Sequence, residues 1–116
     1  MANRFINKKI NLTSTDNTTI FTVPTATTSI VRSILVSEYA GSGSTLTVTL
    51  TDSSGTVFNL FTSKTISSNT TTELLTNPLI LQESEVLKAQ ATNANRIQLI
   101  VSILEVQPRT VLGGAS

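Results

Sequence analysis

The chain has 116 residues with no cysteine, histidine or tryptophan, and its formal net charge is +1. That length suits one domain able to bury about two-thirds of its unfolded surface without metal or disulfide. The missing histidine removes the usual general base, the commonest metal ligand and the physiological-pH switch. Charged residues are 13% of the chain, against about 25% in an average domain, so no cation excess exists to displace phosphate counterions. Thr, Ser and Asn fill the gap, with 21, 14 and 9 copies. Thr is β-branched and suits a half-buried pleated surface, which predicts an all-β protein with hydroxyl-covered outer faces.

The first ten residues carry Arg4, Lys8 and Lys9 and no acid. This is the pattern of an edge strand guarded by Lys, or of a contact with an acidic neighbour. Residues 1–11 are expected to form an N-terminal arm or a first edge strand, the strand itself over Asn7–Leu12. No apolar run follows Met1–Ile10 as a signal peptide requires, and no segment approaches the roughly 18 apolar residues of a membrane span.

Thr19–Val23 is a short strand that stops at Pro24. Ser29–Ser37 is a longer one, with Ile30, Ile34 and Val36 on one face and Arg32 interrupting their row. After the Ala40–Ser44 loop, Thr45–Thr51 alternates Thr with Leu46, Val48 and Leu50, which places the aliphatics on one face. Asp52-Ser53-Ser54-Gly55 supplies turn residues, and Thr56–Phe61 returns as the second arm of a hairpin. Thr71–Leu75 and Leu79–Leu81 flank a break at Asn77-Pro78. Leu79–Ala91 holds the helix formers of the chain, but its β-rich flanks favour strand–turn–strand, with Leu87, Ala89 and Ala91 sharing a side. Arg96–Val106 is the last strand, with Ile97, Leu99, Val101 and Ile103 inward. Ile100 and Leu104 fall among its outward residues, so part of this strand is expected to be covered on both faces. Residues 12–106 then form the domain, and residues 107–116, opening with Gln107-Pro108, form a C-terminal extension.

About eight short strands with turn signals between them describe a single antiparallel β-sandwich, jelly-roll or Ig-like, with extended arms at both ends. Chemistry is sparse. Glu83 and Glu85 lie on one side of a strand, the other acids are scattered, and all read as solvated turn residues. Ser63-Lys64 is what so many hydroxyls produce by chance, and the Asp52 loop has too few ligands for calcium. Gly41-Ser42-Gly43 precedes a strand, not a helix, so it lacks the helix N-terminus that cradles phosphate. No catalytic, cofactor-binding or metal residue is assigned, and neither nucleic acid nor membrane is an expected partner. The phenylalanines read as core residues or edge plugs. The single Tyr39, beside the Gly-Ser loop, is the aromatic residue placed for contact.

The segments IFTVPTATTSIVRSILVSEYAGSGSTLTVTLTDSSGTVFNL and ELLTNPLILQESEVLKAQATNANRIQLIVSILEV together resemble a small β-sandwich type of tailed-phage virion proteins. The likeness lies in the T-V-P start, the I-V-R-S-I strand, the hairpin closed by D-S-S-G, the L-x-A-x-A strand and the S-I-L-E-V ending, over residues 18–106. One departure is Glu83-Ser84-Glu85, where such proteins carry Gly-Asp in the turn. The resemblance implies a non-enzymatic virion part of capsid-decoration, neck, collar or tail type, made in the infected bacterium's cytoplasm. Its partners are other virion proteins and further copies of itself in a symmetric assembly, and no functional residues transfer. The contacts are then expected from both ends, at Arg4, Phe5, Lys8, Lys9, Pro108, Arg109, Val111 and Leu112, with Tyr39 besides. A carbohydrate- or host-surface-binding module using the 38–44 and 52–55 loops is the alternative.

Overall fold

Alternation of aliphatic and hydroxyl side chains writes strands along nearly the whole chain. The computed structural model describes residues 3–107, and among them it has nine strands and no helix. They are β1 (Asn3–Leu12), β2 (Thr18–Thr22), β3 (Thr28–Glu38), β4 (Ser44–Thr51), β5 (Val57–Ile66), β6 (Thr71–Glu73), β7 (Leu79–Leu81), β8 (Val86–Ala91) and β9 (Ile97–Val106). All pair antiparallel, in two sheets. The larger runs β1-β9-β3-β6, with β7 also on β3, and the smaller runs β2-β8-β4-β5.

That order settles between the two expected sandwiches. β6 and β7 share one side of β3 because Asn77-Pro78 interrupts what would be a single strand. Counting them as one position gives the eight-position, doubly Greek-keyed order of a jelly roll. β1 belongs to the sandwich along its length, pairing β9 from Asn3↔Val106 to Leu12↔Ile97. β1 stands at the edge of the larger sheet.

The core is where the alternation placed it. Leu46 and Val48 of β4, Leu87, Ala89 and Ala91 of β8, and Ile97, Leu99, Val101 and Ile103 of β9 are all buried, and Leu50 is half-buried. β3 differs. Val31 opposes Ile103 and Ser33 opposes Ser102, so Arg32 bulges out unopposed. A one-residue bulge reverses the side on which every later side chain falls. The inward set is thus Ser29 and Val31, then Ile34, Val36 and Glu38, while Ile30 points outward. The single row of Ile30, Ile34 and Val36 does not exist. β5 runs on to Ile66 and shifts register against β4 twice, with Ser63 at φ +48.

The carboxylates are not simply solvated. Asp52 Oδ1 accepts from the Thr56 and Ser54 N–H groups at 2.9 and 3.0 Å and from the Ser54 hydroxyl at 2.9 Å. The Thr56 N–H and the Ser54 hydroxyl hold its carboxyl below the usual range, against a small opposing push from desolvation. Glu73 Oε2 takes the Ile34 and Leu75 N–H groups at 2.8 and 3.2 Å, and its Oε1 takes the Ser33 hydroxyl, which pins the residues after the Arg32 bulge. Burial pushes Glu73 up, but these donors outweigh it and the net shift is downward. In the departing turn, Ser84 takes φ +70, a conformation glycine adopts freely, and Glu85 Oε1 braces the turn by accepting the Gln82 N–H at 2.7 Å.

Glu38 is the clearest case. It is 2% exposed, at the end of β3, and among the described residues it pairs with no cation. Its Oε1 accepts the N–H groups of Gly41 and Asn69, both at 2.9 Å, and its Oε2 those of Ser42 and Gly43 at 3.3 and 3.1 Å. Gly41 and Gly43 reach this arrangement at φ +79 and +73. Consecutive N–H groups converging in this way form an anion nest. The Gly41-Ser42-Gly43 loop does cradle an anion, and the anion is the chain's own carboxylate.

Candidate assembly surface

The two outer faces differ in chemistry. On the smaller sheet, register aligns Thr22–Val86–Thr51–Val57, Thr19–Lys88–Thr49–Asn59 and Gln90–Thr47 across the strands. This face is rich in hydroxyls, as composition predicts, although Thr49 is buried and Val57 is 54% exposed. On the larger sheet the rows read Phe5–Leu104–Ile30–Ile80, then Asn7–Ser102–Ser33, then Lys9–Ile100–Leu35–Glu73. A polar row lies between an apolar row and one whose apolar centre, Ile100 and Leu35, stands between Lys9 and Glu73.

The exposure of these apolar side chains is high for residues of this kind. Phe5 is 74% exposed, Ile80 57%, Ile100 44% and Leu35 37%. A groove of about 350 Å³ lies along the third row, lined by Lys9, Asn11, Leu35, Ser37, Gln98 and Ile100 among others. The outward aliphatics of β9 were expected to be covered on both faces. Ile100 has no such cover from the described residues. Soluble monomers seldom leave contiguous apolar rows open, and where they occur they mark interaction sites.

The residues expected to make contacts fall into three groups. Arg4, Phe5, Lys8 and Lys9 all stand on β1, with Phe5 and Lys9 on the outer face and Arg4 and Lys8 on the inner side. Arg4 Nε meets Glu105 Oε1 at 2.8 Å, and Lys8 Nζ lies 5.7 Å from the centre of the Phe21 ring. Tyr39 is exposed but sits beyond the end of β3, with its N–H on the Arg96 carbonyl at 3.0 Å, apart from the β1 residues. Pro108, Arg109, Val111 and Leu112 lie outside the described residues. The sequence does not mark Ile30, Leu35 and Ile80 as contact residues; for Ile30 the reason is the Arg32 bulge, which shifts the phase of β3. Phe5 and Phe58 are exposed, so neither is a core residue.

The 38–44 and 52–55 loops do not converge. One precedes β4 and the other follows it, so the eight-residue strand separates them by about 25 Å. Each loop also spends its polar backbone on an internal carboxylate. Among the described residues there is no cluster of three His, Cys, Asp or Glu that could hold a metal ion.

No family model matches the chain, and no curated protein does. Among solved structures, a chain in the acidic stable capsid structure of Helicobacter pylori bacteriophage KHP30 aligns at a TM-score of 0.53 and 16% identity, over 94% of this chain and 90% of that one. A pentameric capsid protein isolated from metagenomic phage sequences aligns at a TM-score of 0.43 and 20% identity, over 85% of this chain and 60% of that one. The first likeness is one of fold, and it covers nearly the whole of both chains. This chain has the fold of a chain found in a phage capsid.

Proposed function

We propose that the chain is a non-enzymatic structural component of a phage virion, of the capsid-associated decoration type. It is held through the outer face of its larger sheet. The observation that carries this reading is the contrast between the two faces, one mostly of Thr, Lys and Gln with Val57 at its edge, the other with Phe5, Ile80, Ile100 and Leu35 open. Burying such rows against a neighbour removes apolar surface from water, while the Thr face hydrogen-bonds solvent without strong charge. The fold shared with a chain of a phage capsid structure supports the same reading. Residues 107–116, with Pro108, Arg109, Val111 and Leu112, are proposed as a second contact that reaches a neighbouring subunit.

The test is incorporation into particles assembled with the shell proteins of the chain's own phage. Ile80→Asp and Leu35→Asp put charges into the two apolar rows at exposed positions. Both are expected to lower particle occupancy at least tenfold while leaving the melting temperature within a few degrees of the parent. Thr22→Asp, on the Thr face, is expected to leave occupancy unchanged. Normal occupancy of both row variants, or displacement by Thr22→Asp alone, would overturn the reading.

A further inference from the structure

Every open sandwich must manage its sheet edges, since an unpaired strand edge is a template for another chain. Three of the four edge positions here are blunted. β2 has five residues and shifts register between Thr19 and Phe21. β5 shifts register twice. β6 and β7 have three residues each. β1 is different: it has ten residues and pairs β9 without a bulge. Among the described residues no strand pairs its other side.

We propose that two copies of the chain join β1 to β1 across a two-fold axis, antiparallel and centred on Asn7, so that their larger sheets continue as one. A two-fold axis perpendicular to the sheet keeps outer residues on the outer side. Outward Asn3, Phe5, Asn7, Lys9 and Asn11 must therefore oppose one another, and inward Arg4, Ile6, Lys8 and Ile10 likewise. Charge then excludes several registers, because like charges directly opposite destabilise a strand pair, and of those left, centring on Asn7 pairs the most residues of β1. Centring on Ile6 sets Arg4 against the partner's Lys8. Centring on Lys8 or Lys9 sets that lysine against its own copy.

Centring on Asn7 avoids all of these. It puts Lys9 beside the partner's Phe5, Lys8 beside the partner's Ile6, and Arg4 beside the partner's Ile10. The ammonium of Lys9 then meets an aromatic face, a favourable pairing. The two inward cations are already held within their own chain, Arg4 by Glu105 at 2.8 Å and Lys8 by the Phe21 ring at 5.7 Å.

The same register extends the apolar rows. Ile80–Ile30–Leu104–Phe5 of one copy runs into Lys9–Ile100–Leu35 of the other. Phe5, 74% exposed in the single chain, is brought to the mouth of the partner's groove. The dimer carries two such lines, related by the axis. The inference rests on edge geometry and charge rather than on the virion role, so self-association can fail while incorporation into particles stands, and the reverse.

Because the chain contains no cysteine, one introduced thiol reports one contact. Opposed residues of an antiparallel pair have Cα atoms about 4.5–5.5 Å apart, within disulfide range. Full-length Asn7→Cys is expected to run mainly as a disulfide-linked dimer on a non-reducing gel after mild oxidation, with Ser53→Cys in the β4–β5 turn remaining monomeric. Mixing Phe5→Cys with Lys9→Cys is expected to give several-fold more cross-link than either variant alone. The unmodified chain is expected to sediment at twice its 12.4 kDa mass. A monomer in sedimentation, Asn7→Cys cross-linking no better than Ser53→Cys, or Phe5→Cys alone cross-linking as well as the mixture would overturn the proposal.

Discussion

Leu87→Ala is expected to lower the unfolding free energy by about 2–5 kcal/mol, read by denaturant or thermal unfolding. Leu87 is fully buried on β8, opposite Phe21 of β2 on one side and Leu50 of β4 on the other. Truncation removes its transfer free energy and leaves a cavity between strands whose hydrogen-bonded ladders restrain collapse into the gap. For a domain of this size the melting temperature should fall by roughly 10 °C or more. Ile80→Ala is the matched contrast. Ile80 is a β-strand aliphatic too, but it lies in an open row, and its loss should change stability by less than about 0.5 kcal/mol. Equal effects at the two positions would mean that the division into core and outer face is wrong.

Glu38→Gln is expected to lower the melting temperature by roughly 5–10 °C and to remove part of the chain's acid sensitivity. The carboxylate satisfies four backbone N–H groups from two loops. A glutamine amide would keep one acceptor oxygen and turn its NH₂ toward donors that need an acceptor. The Asn69 N–H lowers the Glu38 pKa most, burial opposes it, and the Gly41, Ser42 and Gly43 N–H groups lower it further, so that the net shift is downward from the ordinary value of about 4.3. Since the folded pKa is the lower one, the unfolded chain takes up the proton first as pH falls. The stabilisation is complete above the unfolded value and is lost as pH drops through the folded one. Asp52 and Glu73 are shifted the same way and add to the effect. Parent and Glu38→Gln melting temperatures should therefore differ most at neutral pH and converge below about pH 4. A difference that stays constant down to pH 3 would contradict the role given to the ionised carboxylate.

What could be read from the chain alone follows from how local each signal is. The Thr45–Thr51 alternation and the inward set of β9 depend only on neighbouring residues, and both stand in the structure. The choice of jelly roll over an Ig-like arrangement depends on which distant strands pair, such as β1 with β9, and no local pattern carries that. The bulge at Arg32 is a pairing event between β3 and β9, so simple alternation puts Ile30 and Val31 each on the face opposite to the one it occupies, while Leu35 falls on the outer face either way. The Glu38 site needs the Asn69 N–H from a loop thirty-one residues away. Its one visible trace was the Gly-x-Gly after an inward glutamate, a pattern able to form a nest without any helix. The outward Ile100 and Leu104 suggest cover on both faces, but Ile100 is 44% exposed and Leu104 only half-buried among the described residues. The chain's own described residues leave Ile100 open, which is why the larger sheet's outer face is the one proposed for assembly.

The most direct measurement of the proposed role is a single-particle reconstruction of the phage particle to which the chain is proposed to belong, at a resolution that separates the two sheets. The β1-β9-β3 face should lie against a neighbouring subunit, with Phe5, Ile80, Leu35 and Ile100 excluded from solvent and the Thr rows of β4 outward. A particle without the chain, or one in which the Thr face makes the contact and the apolar rows stay open to solvent, would contradict that orientation.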